Sequence, residues 1–301
     1  MSEVVTTDEL LDAGEARTGL TRAQLVRMVG KSAAIRHIAG HEHREQFVLK
    51  GGSLLTHVYG SPRQSIADAD YVHLEPDTVK SPDLDDAFTV NEGGFAMSAV
   101  FRYEYEKGFK GRAVFEIEGV EITTRDRKTR ELNVTISIRR GEWLDPSDKP
   151  LVYRDHLLAG ESTFEVQGLT IAELSAEKVL AWCSKDLSKH LVDVAYVERE
   201  HGAGLDYERV ADLVGKKFAI EKNDYRYRAL GLTSVRQLGT RFTDADRLRN
   251  LLHRDWARVA TDELFFLPGE QTHGEGERLT EAVNVERLAL AYWSKLAPYL
   301  S

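Results

Sequence analysis

Apolar and polar residues follow two different patterns along the chain, and the pattern changes near residue 160. Before that point, short apolar runs rich in β-branched and aromatic residues predict strands. These runs lie at 47–49, 66–74, 95–105, 112–122 and 132–138. From Leu169 onward, apolar residues such as Ile171 and Leu174 recur at helical spacing. The pattern predicts an α/β protein, with a mixed sheet in a domain of residues 1–160 and a mainly helical domain of residues 161–301.

A helix is predicted ahead of the first strand. Thr21 is suited to cap it, because a threonine hydroxyl accepts a hydrogen bond from the free N–H groups of a helix's first turn. Leu25, Met28 and Val29 belong to the apolar stripe that follows. We expect this helix over roughly residues 22–39.

The segment from Phe47 to Tyr59 has the order strand, glycine turn and helix. An apolar run ends at Lys50–Ser53, and apolar residues then recur at helical spacing. Glycines in such a turn let backbone N–H groups approach a phosphate, and the positive end of the helix dipole favours its charge. We expect Lys50, Gly52 and Ser53 to bind a nucleotide, with the Ser53 hydroxyl either on a phosphate or capping the helix.

Two aspartates lie on the next predicted strand. Asp68 and Asp70 are two residues apart, so their side chains share one face, about 6.6 Å apart along the strand. This spacing suits Mg²⁺, with Mn²⁺ as an alternative, since Mg²⁺ accepts a few carboxylates together with substrate phosphates and water. Two other D-x-D triplets, at 83–85 and 244–246, lack this strand context and serve as internal controls.

The motif LKGGSLL…YG-x-PR-x-S…D-x-D resembles that of the AbiEii/MenT toxins, within the polymerase-β-like nucleotidyltransferases. The resemblance implies roles in nucleotide binding for Arg63 and Ser65, which stand one position further from the first aspartate than in the family pattern. The later segment AEKVLAW…SKHLVDVAYV resembles the family's second signature. That match implies that Lys178 and Asp193 belong to the active site, with the helical domain completing the cleft.

The spacing of Lys178 and Asp193 has a structural consequence. On one straight helix they would lie about 22 Å apart, too far to share a substrate. The polar segment 184–188 offers a break, with Asp186 or Ser188 as a cap for a second helix. We therefore expect a helical hairpin that brings the two side chains together. The alternative is a surface lysine and an aspartate paired with Lys189.

A third carboxylate is expected from a later strand in the polymerase-β pattern. Thr135 occupies that slot in LNVTISI. Glu116 and Glu118 could substitute for it, or they could simply form the polar face of a strand.

Two groups of cations are candidates for contact with an RNA backbone. The first group lies in a hairpin-like loop and comprises Arg125, Arg127, Lys128 and Arg130. The second lies among aromatic residues and comprises Lys216 and Lys217. Ordinary solvated surface is the alternative explanation for both groups.

The composition of the chain limits which cellular compartments and which partners we expect. The net charge of −9 over 301 residues argues against indiscriminate binding of nucleic acid. No apolar run reaches the length of a membrane span, and the single cysteine fits a reducing cytoplasm.

From the resemblance we expect a toxin of a toxin–antitoxin system, with a cognate antitoxin. It would transfer nucleotides from an NTP to RNA, at the 3′ end of tRNA, and so block translation and growth. Two alternatives stay open. One is a nucleotidyl- or phosphotransferase acting on a protein or small-molecule hydroxyl, and the other is a non-catalytic RNA- or partner-binding relic.

Overall fold

The computed structural model divides into two compact units, residues 1–169 with 266–268 and residues 170–265 with 269–301. The sequence-based domain limits, 1–160 and 161–301, stay a prediction. The residues that the structure describes are 8–18, 20–61, 68–74, 84–85, 88–92, 95–105, 108–117, 122–124, 127–129, 132–140, 144, 146–155, 162–185, 187–258 and 275–300.

The first unit begins with two helices, α1 (Asp8–Thr18) and α2 (Arg22–Gly40). Thr21 caps α2 in a capping box. Its hydroxyl accepts from the Gln24 backbone N–H, and the Gln24 side chain accepts from the Thr21 N–H at 2.9 Å. The helix predicted over 22–39 is confirmed, and it ends one residue later. A 3-10 turn (Arg44–Gln46) then leads into the first strand.

The described part of the rest of this unit consists mainly of strands, and a short helix, α3 (Gly51–His57), follows the first of them. They are β1 (Phe47–Lys50), β2 (Asp68–His73), β3 (Val90–Glu92), β4 (Phe95–Tyr105), β5 (Gly108–Ile117), β6 (Ile122–Thr124), β7 (Arg127–Thr129), β8 (Leu132–Arg140), β9 (Leu151–Asp155) and β10 (Ser162–Val166). Among the described residues, six form one sheet in the order β1-β2-β8-β5-β4-β3. β2 and β8 are parallel and the other neighbours antiparallel, which confirms the predicted mixed sheet.

The two faces of this sheet differ along β8. Leu132, Val134, Ile136 and Ile138 are buried, whereas the residues between them are partly exposed. Helix α2 packs against β8 and β2, and Gly30 brings it close to the sheet. A Cβ at Gly30 would come within 2.3 Å of the Phe115 ring. The apolar face therefore forms the core, and the other face presents polar residues.

The second unit is helical in the part of the chain that the structure describes. Its helices are α4 (Ile171–Ser184), α5 (Ser188–His201), α6 (Tyr207–Glu221), α7 (Tyr225–Ala229), α8 (Val235–Phe242), α9 (Ala245–Arg258) and α10 (Glu275–Leu296), followed by a 3-10 turn (Ala297–Tyr299). No helix among the described residues is long and apolar enough to cross a bilayer.

Two arginines hold the carboxyl end of α4. The Arg247 guanidinium lies 4.1 Å from the centre of the Trp182 ring and donates to the Trp182 carbonyl at 2.7 Å. Arg241 donates to the Cys183 carbonyl at 2.6 Å. The last carbonyls of a helix lack intrahelical partners, so these contacts stabilise the end of α4. Arg241 and Arg247, which follow α7 in sequence, therefore have structural roles.

Candidate active site

The glycine turn between β1 and α3 lies directly against one of the predicted catalytic carboxylates. Gly51 has φ +73°, a conformation that favours glycine. A Cβ at this position would come within 2.5 Å of Asp70 Oδ2. The backbone at Gly51 therefore approaches Asp70 as closely as only a glycine permits.

Ser53 connects α3 to β2. Its side chain is buried, and its hydroxyl donates to the backbone carbonyl of Asp68 at 2.8 Å. The N-cap of α3 is Lys50, without a side-chain capping hydrogen bond, so the prediction that Ser53 caps this helix is wrong. Since the hydroxyl proton is already used, the Ser53 side chain positions Asp68, and a phosphate contact here would come from backbone N–H groups.

Asp68 and Asp70 lie on the polar face of β2, where Asp68 is exposed and Asp70 half-buried. Lys50 of β1 is directly opposite Asp70, and Ser137 of β8 is opposite it on the other side. Directly opposite residues on paired strands project from the same face. The predicted nucleotide-binding lysine and the second aspartate are therefore neighbours.

Thr135 is directly opposite Asp68 on the parallel neighbour β8. A hydroxyl thus occupies the place where the polymerase-β pattern expects a third carboxylate. Glu116 is on the same polar face, but two strands away and four residues further along, roughly 16 Å from Asp68. It is too distant to join Asp68 in one metal site, and Glu118 lies outside the described residues.

A divalent metal fits this pair of carboxylates. Within the described ranges no group of three or more His, Cys, Asp or Glu side chains could hold a metal ion. Two strand-borne carboxylates are nevertheless a sufficient protein contribution for Mg²⁺, which keeps several waters and binds substrate phosphates.

The second predicted pair is formed by a helical hairpin. α4 ends at Ser184 and α5 begins at Ser188, so the break predicted at 184–188 is confirmed. Lys178 Nζ lies 2.7 Å from Asp193 Oδ2, and the side chains are 7% and 0% exposed. The geometry is therefore that of a buried ion pair between the two helices, rather than of a surface lysine.

The beginning of α5 differs from the prediction. Its N-cap is Leu187, which makes no side-chain capping hydrogen bond, and Ser188 is the first helical residue. The proposal of Ser188 as cap is therefore wrong, and Asp186 lies outside the described residues.

His190 was not singled out from the sequence, although it stands three residues before Asp193 on α5. It is buried, and neither ring nitrogen has a hydrogen-bond partner within the described structure. Burial lowers the pKa of His190 well below its usual value of 6.5, and the nearby Lys178 lowers it further. The spacing of one helical turn from Asp193 was the signal available in the sequence.

The remaining predicted residues divide into three groups. Arg63, Ser65, Arg125 and Arg130 lie outside the described residues, as do the side chains of Arg127 and Lys128. Lys216 is exposed and pairs with Asp212 at 2.8 Å. Lys217 is buried and lies 2.6 Å from the buried Glu173, so its ammonium is not available to an RNA backbone.

A comparison with protein families identifies the family of the chain that contains these two clusters. The model described as the nucleotidyl transferase AbiEii toxin of a type IV toxin–antitoxin system matches residues 34–284. The chain belongs to the AbiEii family. The predicted family is thereby confirmed, and the match includes Asp68, Asp70, Lys178 and Asp193. The roles of these four residues stay predictions.

The AbiEii fold is supported by a solved structure. The chain is similar to MenT4, a nucleotidyltransferase toxin from Mycobacterium tuberculosis H37Rv, with a TM-score of 0.55 and 16% identity. The alignment covers 99% of this chain and 100% of MenT4. At this identity the likeness shows the fold alone, and it confirms the predicted nucleotidyltransferase fold. No curated protein matches the sequence significantly.

Proposed function

We propose that this AbiEii toxin transfers a nucleotidyl group from an NTP to an RNA acceptor, at the 3′ end of tRNA, in a Mg²⁺-dependent reaction. A cognate antitoxin would neutralise it. The observation that carries the proposal is the placement of Asp68 and Asp70 on one polar face of β2, with the Gly51 backbone against Asp70. This arrangement supports binding of a metal-complexed triphosphate beside a glycine turn.

Asp68 and Asp70 would hold the metal, with Mn²⁺ as an alternative to Mg²⁺. The metal would neutralise the triphosphate and polarise the reacting phosphorus. The Ser53 hydroxyl donates to the backbone carbonyl of Asp68, so α3 holds the β2 backbone from which this carboxylate projects.

Lys178 would stabilise negative charge on the phosphates, and Asp193 would orient Lys178. Asp193 is fully buried and its Oδ2 lies 2.7 Å from the ammonium, which supports an orienting role over that of a general base. Both clusters must then serve a single reaction. That requirement is tested by the kinetics of variants in each unit.

Exposed cations and an aromatic ring near α7 are candidates for contact with RNA. Lys222 and Arg228 are exposed, and Tyr225 is 72% exposed between them in sequence. Unpaired bases stack on such rings while cations neutralise the phosphates. Replacing Tyr225 and Lys222 with alanine should weaken RNA binding, whereas Ile220→Ala, a change at an exposed apolar residue nearby, should not.

The test is incubation with each labelled NTP, in Mg²⁺ and in Mn²⁺, with total tRNA, total protein or a mixture of small acceptors. We expect label on tRNA that is lost when its 3′-terminal hydroxyl is oxidised, and none with Asp68→Asn. Label on protein alone, or on small molecules alone, would show that the acceptor belongs to that class and is not RNA. Absence of transfer to every acceptor would favour a non-catalytic binding protein.

A further inference from the structure

The polar face of the six-stranded sheet carries an exposed arginine in the same row as a predicted metal ligand. Asp68 of β2 is directly opposite Thr135 of β8, and Thr135 is directly opposite Arg112 of β5. Directly opposite residues project from the same face. At about 4.8 Å per strand, the backbone of Arg112 lies roughly 10 Å from that of Asp68. One phosphate-rich substrate is large enough to contact both side chains.

The guanidinium of Arg112 is held in place without being neutralised. Its Nε donates to Oδ1 of Asn133, on β8, at 2.7 Å. Among the residues that the structure describes, Arg112 forms no ion pair and no further hydrogen bond. A neutral amide therefore orients a full positive charge. The terminal amino groups have the fork geometry that matches two oxygens of a phosphate.

Threonine in the slot of the third carboxylate matters for this cation. Directly opposite residues on antiparallel strands have Cβ atoms about 5 Å apart, so an aspartate at position 135 would be close enough to pair with Arg112. The Thr135 hydroxyl is neutral and does not oppose the charge. In a chain of net charge −9, Arg112 thus presents a positive charge on the face that carries the metal-binding carboxylates.

The side of β2 on which Arg112 lies indicates which substrate it contacts. The glycine turn follows β1 and approaches Asp70 from one side of β2, whereas β8 and β5 lie on the other side. With a triphosphate at that turn, as in the proposed function, pyrophosphate leaves on the β1 side. In an in-line displacement the attacking oxygen enters opposite the leaving oxygen. The acceptor therefore approaches from the side of β8 and β5.

We propose that Arg112, oriented by Asn133, binds a backbone phosphate of the RNA acceptor beside the attacking 3′ end. The guanidinium donates to the phosphate oxygens and so holds the terminal nucleotide over Asp68 and Asp70. The assignment to the acceptor instead of the NTP rests on the proposed function. Binding of a phosphate by the Arg112 side chain does not.

The experiment measures binding to the full chain by calorimetry at several salt concentrations, without NTP and without turnover. The two probes are total tRNA and inorganic tripolyphosphate. We expect Arg112→Ala to weaken tRNA binding by about 10-fold. It should also reduce the slope of log K against log salt concentration by about 0.7–0.9, the value for one phosphate contact. Affinity for tripolyphosphate should not change.

Further variants separate charge from geometry. Arg112→Lys keeps the charge but lacks the planar fork, so it should retain the slope and only part of the affinity. Asn133→Ala leaves the guanidinium charged but unoriented, so it should weaken tRNA binding less than Arg112→Ala does, again with the slope retained. Arg154→Ala is the matched control. It removes an exposed arginine of β9, outside the six-stranded sheet, and should change neither affinity nor slope.

Unchanged tRNA affinity and slope in Arg112→Ala overturn the proposal, and so does an equal change in Arg154→Ala. A loss confined to tripolyphosphate overturns the assignment to the acceptor. These outcomes are independent of the transfer assay. A chain that binds tRNA through Arg112 but labels no acceptor would refute the proposed function and leave the phosphate contact standing.

Discussion

The two clusters of predicted active-site residues hold their carboxylates in opposite environments. Asp68 projects from the polar face of a strand and is exposed, whereas Asp193 is fully buried and paired with Lys178 across a helical hairpin. An exposed carboxylate can recruit a cation from solvent at little expense to the fold. A buried one requires its partner, because an unpaired charge in the interior is strongly destabilising.

From this comparison we expect loss of the carboxylate charge to lower stability strongly at the buried Asp193 and only slightly at the exposed Asp68. Aspartate-to-asparagine substitutions keep shape and remove charge, so they measure this difference directly. The predictions below run from the largest expected effect to the smallest.

Asp68→Asn or Asp70→Asn should lower the rate of NTP transfer on the order of 10³–10⁴-fold, because each removes a metal-binding charge. The free energy of unfolding should change by no more than about 0.5 kcal/mol for the exposed Asp68. Rates from labelled NTP and urea unfolding provide the two measurements.

Asp244→Asn and Asp246→Asn are the controls for the first prediction. Asp244 accepts from the Arg247 backbone N–H at 3.0 Å near the start of α9, and asparagine can make the same cap. Equal loss of activity from both pairs would contradict the assignment of the metal site to β2.

Lys178→Ala and Asp193→Asn should each lower the rate by about 10²–10³-fold. Unlike the β2 changes, Asp193→Asn should also lower the free energy of unfolding by about 3–5 kcal/mol, because it leaves a buried lysine unpaired. Denaturation curves alongside kinetics at saturating NTP would show both effects.

Replacing the whole pair sharpens this result. In Lys178→Met/Asp193→Leu, an apolar contact replaces the buried ion pair, so stability should return towards that of the parent protein while activity stays lost. Near-normal turnover in this double variant would show that the pair is purely structural.

Gly51→Ala should lower the free energy of unfolding by about 1–3 kcal/mol and should impair transfer as well. The alanine is strained at φ +73°, and its Cβ would clash with Asp70. Gly231→Ala is the matched control, since Gly231 has φ +66° but open space around its Cβ position. At Gly231 we expect backbone strain alone to lower the free energy of unfolding, with activity retained. If both variants retain activity, the close approach to Asp70 is unimportant for function.

The buried His190 should give the smallest effect, a dependence of stability on pH. Its pKa in the folded protein lies well below 6.5, mainly because of burial, so below pH 6.5 the unfolded chain binds a proton that the folded one does not. Stability should therefore fall as pH falls, with a slope that approaches about 1.4 kcal/mol per pH unit.

Urea unfolding between pH 5 and 8 provides the test for this slope. His190→Phe should flatten it, whereas His43→Gln, at an exposed position, should not. An identical slope in the His190 variant would show that a group other than His190 causes the dependence of stability on pH.

Much of this architecture was accessible from local patterns in the sequence. The helix cap at Thr21, the strand bearing Asp68 and the break at 184–188 each depend on a few neighbouring residues, and each is confirmed. Thr135, which the polymerase-β pattern places in the slot of the third carboxylate, lies directly opposite Asp68, a register that the sequence did not predict.

The sequence was less informative where a long-range contact decides what a side chain does. Ser53 has the composition of a cap, but its hydroxyl donates to Asp68 O on another strand. Lys217 lies in a segment rich in cations and aromatic residues, but its ammonium forms a buried ion pair with Glu173 on another helix. Residue type and spacing along one element contain no information about such partners.

The two arginines at the end of α4 have a consequence for genetics. A selection for cells that survive expression of the toxin should recover substitutions at Arg247 as well as at the motif residues, although Arg247 belongs to neither motif. Lysine could not replace it, since the guanidinium both stacks on Trp182 and donates to backbone carbonyls. Survivors of the two kinds would differ in protein abundance. Changes at Asp68 would leave full amounts of inactive toxin, whereas changes at Arg247 would leave little toxin to detect.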